Sequence, residues 1–175
     1  MDYGSLRRSD LFTFFRLSEQ SRSAPSSAGV LTIIFKPGGF QEFIDIQVQI
    51  DQTDLVRGAS LLMDRVWLGD VTNINPFAKD ITKTFISVLV PPEDEDFVKD
   101  IIRTIWNLKG TSDKVYYLTQ PSEEEESYDP QVLRAQRVYL GEEGKFELVM
   151  PSSELVMENH RDGNRDRLCL TFKQF

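Results

Sequence analysis

The chain has 175 residues, of which 40% are hydrophobic and 27% charged, and its formal net charge is −8 at pH 7. These proportions are ordinary for a globular protein and exclude a mostly disordered chain, and the length predicts a single domain. No apolar run approaches the roughly 18 residues that a membrane-spanning helix needs, so we expect no stable membrane insertion. The first residues have no long uninterrupted apolar stretch, and no secretory signal is predicted there.

The chain contains one cysteine, Cys169, and one histidine, His160. A lone cysteine cannot form a disulfide within the chain, which is typical of a cytoplasmic protein. A structural zinc site needs three or four Cys or His ligands, and a Cys–His nucleophile pair would depend on these two residues alone. We therefore predict no catalytic residue, no metal site and no cofactor.

Negative charge is concentrated between residues 91 and 130, where eleven acidic residues face four basic ones. The stretch includes "QPSEEEESYD", residues 120–129, which a solvated loop or a contact for a basic partner would explain. The negative electrostatic potential of this segment repels the phosphate backbone of nucleic acids, so nucleic acid is not an expected partner.

The N-terminal residues 1–29 are predicted to be an aromatic arm followed by a flexible tether, with a single α+β domain over residues 30–175. The arm contains "DLFTFFRL", whose apolar residues show neither helix nor strand periodicity, and the tether "SEQSRSAPSSAG" has a linker composition. Phe12, Phe14 and Phe15 resemble the aromatic anchors of a docking peptide. The arm could dock on its own domain, on a second copy or on another protein, or form an additional element of the fold.

A β-hairpin is predicted next. The apolar run over residues 30–35 is followed by "KPGGFQE", a turn composition, and then by a segment in which Ile44, Ile46, Val48 and Ile50 alternate with polar residues. A period of two residues indicates a strand with one face on a core and the other in water.

Three helices are predicted over residues 51–69, 75–90 and 92–110. The second begins with Asn75 and Pro76, and the third begins at Pro92 and ends before Gly110, which are typical start and stop signals. The second half of the second helix is β-branched and could instead be extended.

The C-terminal third is predicted to return to strands: residues 114–119, two strands within 138–150 joined at 142–144, and a hairpin of 154–159 with 167–175 around an Asp-Gly turn. Residues 130–138 fit either a short helix or the start of a strand. The predicted fold class is α+β, a mostly antiparallel sheet of about five to seven strands with about three helices packed on one face. The expected order along the chain is ββ-ααα-βββββ.

The predicted helix 51–69 has an unusual distribution of apolar residues. Its expected core stripe leaves Leu61 and Leu68 on the opposite side, one above the other. Two such leucines need a second cover, from a neighbouring helix, from the N-terminal arm or from another molecule.

These features favour a non-enzymatic protein-interaction module, an adaptor, assembly factor or regulator, that binds another protein or associates with itself. The candidate partner-binding residues are Phe12, Phe14, Phe15, Leu61 and Leu68. Two alternatives stay open. One is a small apolar ligand held between sheet and helices by Phe77, Phe85, Phe97 and Trp106; the other is a small carboxylate-dependent enzyme.

Overall fold

A computed structural model describes residues 1–70, 72–108 and 129–175 of the chain. The acidic loop at 120–128 and the strand predicted at 114–119 lie outside the described residues. Among the described residues, no helix is long and apolar enough to cross a membrane.

The described chain forms one seven-stranded antiparallel sheet and a very small two-stranded one. The large sheet has the strand order β1-β2-β3-β4-β9-β8-β7, and β5 pairs with β6. The strands are β1 Ser18–Arg22, β2 Leu31–Lys36, β3 Ile44–Ile50, β4 Val56–Asp64, β5 Gly69–Asp70, β6 Asn73–Ile74, β7 Lys145–Val149, β8 Ser153–Asp162 and β9 Arg165–Gln174.

The described residues also form six α-helices, three of them short. They are α1 Tyr3–Arg8, α2 Asp10–Phe14, α3 Arg65–Leu68, α4 Pro76–Leu89, α5 Glu95–Asn107 and α6 Pro130–Leu140, with a 3-10 turn at Pro92–Asp94. The α+β class with a mostly antiparallel sheet is confirmed. The prediction of about three helices and the predicted order of elements are not matched, because the first predicted helix is a strand and the N-terminal segment adds two helices and a strand.

The predicted hairpin is confirmed as β2 and β3. Ile44, Ile46, Val48 and Ile50 are all buried, and the residues between them are partly or fully exposed. One face of β3 therefore lies on the core, as the alternation predicts.

The helix predicted over residues 51–69 is wrong. Its central part, Val56–Asp64, is β4, in which Leu61 pairs with Ile46 on one side and with Leu170 on the other. Only the last turn, α3, is helical, and Gly69 ends it with φ +92°. Pairing with two neighbouring strands outweighs the helix preference of Leu, Ala and Met in the segment.

The second and third predicted helices are confirmed as α4 and α5. The side chain of Asn75 accepts a hydrogen bond of 2.9 Å from the backbone N–H of Phe77, so it caps α4 as its position predicts. The β-branched second half of α4 stays helical because Phe85, Ile86 and Leu89 are buried against the core.

The ambiguous segment 130–138 is a helix, α6, capped by Asp129, whose carboxylate accepts from the N–H of Gln131 at 2.8 Å. The prediction of a strand beginning at Val138 is wrong. The helix continues through Tyr139 to Leu140 and ends at Gly141, which has φ +84°, a left-handed conformation that glycine adopts without strain. The hairpin of β8 and β9 is confirmed.

The N-terminal segment is packed on the domain. Leu6, Leu11, Phe12 and Phe15 are buried in the core, and Ser18–Arg22, predicted as part of the tether, is the edge strand β1. The backbone is also held directly, since the N–H of Tyr3 donates to the carbonyl of Asp54 at 2.8 Å.

The helices cover one face of the sheet. On that face, Met63 of β4 lies 3.9 Å from the hydroxyl of Thr82 on α4, which in turn lies 3.4 Å from the hydroxyl of Tyr139 on α6. Residues of the other face, such as Leu62 and Cys169, are partly exposed. The core therefore lies in a single layer between sheet and helices.

Candidate functional site

Four of the five predicted partner-binding residues are buried. Leu61 and Leu68 are 0% exposed, and Phe12 and Phe15 are 5% and 3% exposed. Their own chain covers them, so they are not available to a partner in this structure. Phe14 differs, because 73% of it is exposed.

Phe14 stands at the edge of a surface groove with a volume of about 520 Å³. The outer face of α4 forms its floor, α2 one wall and the end of α5 the other. We call it the α4 groove, and it is lined by Asp10, Phe14, Asp80, Lys83, Thr84, Ser87, Val88 and Trp106.

Helical periodicity creates the floor of the α4 groove. Thr84, Ser87 and Val88 follow Asp80 by four, seven and eight residues, so all four share one face of α4. The buried residues of α4, such as Phe85, face the core on the opposite side. The floor is therefore a rigid helix surface about two turns long.

The two walls of the groove carry exposed aromatic rings. Phe14 is the last residue of α2 and packs edge-on against Phe15, with ring centroids 5.0 Å apart. Trp106 is 42% exposed. The ammonium of Lys79 on α4 donates to the carbonyl of Trp106 at 3.2 Å and to that of Leu108 at 2.6 Å, which ties the end of α5 to α4.

Of the charged side chains in the groove, the lysine contacts an aromatic ring and the two aspartates form no ion pair with the described residues. The ammonium of Lys83 lies 4.2 Å from the centroid of the Trp106 ring, a cation–π contact that uses this charge locally. Asp10 and Asp80 form no ion pair with the described residues. The groove therefore presents two carboxylates beside two aromatic rings.

A row of aromatic rings connects the groove to a neighbouring part of the surface. Phe15 contacts Phe77 with ring centroids 5.3 Å apart, Phe77 contacts Phe40 at 4.9 Å, and Phe40 contacts Trp67 at 5.3 Å. Phe40 is 47% exposed. Phe14 thus contacts this row of packed rings through Phe15, while most of its own side chain is exposed to solvent.

The four residues proposed to enclose a small apolar ligand lie in different surroundings in the described structure. Phe85 is fully buried in the core, and Phe77 packs in the row of aromatic rings. Phe97 and Trp106 are exposed on the helical layer and line different clefts, Phe97 between α5 and α6 and Trp106 in the α4 groove.

His160 and Cys169 lie on paired strands, and neither makes a contact with the described residues that would activate a thiol. His160 is opposite Arg167, and Cys169 is opposite Glu158. The thiol lies 3.5 Å from the hydroxyl of Thr171, and burial raises the pKa of Cys169, which favours the protonated and less nucleophilic form.

Comparisons with protein-family models, with curated proteins and with solved structures found no match for this chain. Of the residues that line the α4 groove, the sequence singles out Phe14 as a partner contact and Trp106 as a ligand contact. It does not single out Asp10, Asp80 and Lys83, whose only signal is their spacing on exposed helix faces.

Proposed function

We propose that the protein is an interaction module and that the α4 groove binds a segment of another protein. The observation that carries this proposal is the exposure of Phe14 and Trp106 on opposite walls of one groove. Aromatic side chains are the usual anchors of protein contacts, and clustered exposed apolar surface often marks such contacts.

The groove favours a particular kind of segment. An apolar side chain inserted between the rings of Phe14 and Trp106 would be desolvated on both sides, while a lysine or arginine next to it would pair with Asp10 or Asp80. A floor two helical turns long suits a short helix or extended stretch of about six residues. We therefore propose a partner segment that combines an apolar anchor with basic residues.

Selection of peptides tests the proposal even though the partner is unidentified. A random peptide library is selected on the intact protein, and the enriched peptides are titrated against Phe14→Ala, Trp106→Ala and Asp80→Asn variants. We expect each aromatic substitution to weaken binding by about tenfold or more and Asp80→Asn by a few-fold, as for interface anchors and exposed ion pairs.

Phe97→Ala provides the matched control, because Phe97 is an exposed aromatic residue on the same helix as Trp106 but outside the groove. This variant is expected to bind selected peptides as the intact protein does. Peptides that bind all variants equally, or a selection that enriches none, would contradict the proposal. A second copy of this chain would be the bound partner if the molecular mass in solution doubles as the protein concentration is raised and Phe14→Ala abolishes the doubling.

A further inference from the structure

A second pocket, of about 250 Å³, lies where the β8–β9 hairpin meets α3 and the end of α6. We call it the Arg65 pocket. Arg65, Gly141 and Asn159 form its inner part, and its rim consists of His160, Arg161, Asp166 and Arg167. Strand pairing directs the side chains of His160 and Arg167 to the other face of the sheet, so the charged side chains that face this pocket are those of Arg65, Arg161 and Asp166.

Arg65 is a partly buried cation held entirely by neutral acceptors. Its guanidinium donates to the carbonyl of Tyr139 at 2.8 Å and to the side-chain oxygen of Asn159 at 2.7 Å. Longer bonds reach the carbonyls of Val138 at 3.5 Å and Gly69 at 3.3 Å. None of the described carboxylates forms an ion pair with it.

The end of α6 compensates only part of this charge. The last carbonyls of a helix have a partial negative charge equivalent to roughly half an elementary charge. Burial lowers the pKa of Arg65, as expected where a cation loses water without gaining an anion. An arginine still stays protonated, so a net positive charge remains beside the pocket.

The pocket is open towards the guanidinium because Gly141 has no side chain. A β-carbon at that position would lie 3.4 Å from Cζ, Nε and Nη1 of Arg65. The four hydrogen bonds of Arg65 to described residues all come from Nη1 and Nη2, so its Nε–H is not used by them. A ligand in the pocket can therefore approach both the Nε–H donor and the planar guanidinium group of Arg65.

The rim adds positive charge that can reorient. Arg161 and Asp166 are both about 70% exposed, and the closest approach of their charged groups is 4.0 Å. Such exposed pairs contribute little energy, so Arg161 can turn towards a ligand at small cost. Arg167 forms an ion pair with Asp45 at 3.1 Å, so its charge is compensated outside the pocket.

We infer that the Arg65 pocket binds a phosphate group borne by a small molecule. Guanidinium groups match phosphate oxygens geometrically, and a doubly charged anion gains more than a carboxylate from the two cations that face this pocket, Arg65 and Arg161. The volume of 250 Å³ exceeds that of a phosphate ion alone, which leaves room for a substituent. This site is separate from the α4 groove, and either proposal can fail without the other.

Titration with inorganic phosphate at constant ionic strength, followed by the backbone amide signals of residues 141 and 159–161, tests the inference. We expect saturable shifts with a dissociation constant in roughly the millimolar range. Arg161→Gln should weaken binding by about fivefold, and Asp166→Asn should tighten it by about two- to fivefold, since each removes one exposed charge. Arg65→Gln is less informative, because it also removes bonds that hold the end of α6.

The controls remove equivalent charges elsewhere. Arg57→Gln and Glu147→Gln change exposed residues of β4 and β7 and should leave the dissociation constant unchanged. Shifts that do not saturate, or controls that change binding as much as the rim variants, would overturn the inference. Equal affinity for acetate would overturn the choice of phosphate.

Discussion

Asp94 is a carboxylate with no exposed surface, in the 3-10 turn before α5. It accepts hydrogen bonds from the N–H of Ser152 at 3.2 Å and from the hydroxyl of Ser153 at 2.7 Å. These bonds fasten the start of α5 to the turn between β7 and β8. The position of the acids before α5 favours a role in stabilising its N-terminus, whereas Asp94 bonds to a different part of the chain.

We predict that Asp94→Ala lowers the free energy of unfolding by about 2–3 kcal/mol, because it leaves one buried and one partly buried donor without an acceptor. Equilibrium unfolding in urea measures the change. The neighbouring Glu93→Ala is the control. Its carboxylate also accepts from a serine, Ser152, at 3.0 Å, but at the exposed surface, and we expect a loss below about 0.5 kcal/mol. Equal losses in the two variants would show that burial of Asp94 is not what matters.

Elements with a clear hydrophobic period were predictable from the sequence. The alternation of Ile44 to Ile50 predicts β3, and the capping residues Asn75 and Pro76 predict α4, because both signals are local. The segment 56–64 could not be assigned correctly because its residues favour a helix locally. They become a strand only through pairing with the preceding strand β3 and with β9, which is distant in sequence.

The residues of the candidate site were likewise only partly predictable from local sequence. Phe14 could be identified as an aromatic residue without a clear core position, but the neighbouring Phe12 and Phe15 have the same composition and are buried. Which of the three faces solvent depends on the direction of α2 across α4, a tertiary feature. The pairing of Phe14 with Trp106 across one groove was likewise outside the reach of sequence patterns, because α2 and α5 are brought together only by folding.

The strand assignment of β4 makes a direct prediction about two adjacent leucines. Leu61 points into the core and is 0% exposed, while Leu62 lies on the partly exposed face. We expect Leu61→Ala to lower the free energy of unfolding by about 2–5 kcal/mol, through lost burial and a cavity, and Leu62→Ala by about 1 kcal/mol or less. Urea denaturation of both variants measures the difference. Similar values for the two would contradict the inward and outward assignment.

At the scale of the whole molecule, the N-terminal segment belongs to the same core as the sheet. The ring of Phe12 lies edge-on to that of Phe35 in β2, with centroids 4.9 Å apart, and Leu6 is fully buried. β1 also forms one edge of the large sheet. Removal of this segment would expose core residues of β2, which distinguishes it from an arm that can be deleted without loss of stability.

The two phenylalanines of α2 separate stability from binding. We predict that Phe12→Ala lowers the free energy of unfolding by about 3–5 kcal/mol, because a buried aromatic side chain is lost from a shared core. If the segment belongs to one cooperative unit, the urea midpoints followed by far-UV circular dichroism and by tryptophan fluorescence should shift together. Phe14→Ala should leave the free energy of unfolding within about 0.5 kcal/mol of the intact protein, since its ring is mostly exposed, while it weakens binding of peptides selected on the α4 groove. A Phe12→Ala protein of normal stability would show that the N-terminal segment packs independently of the sheet.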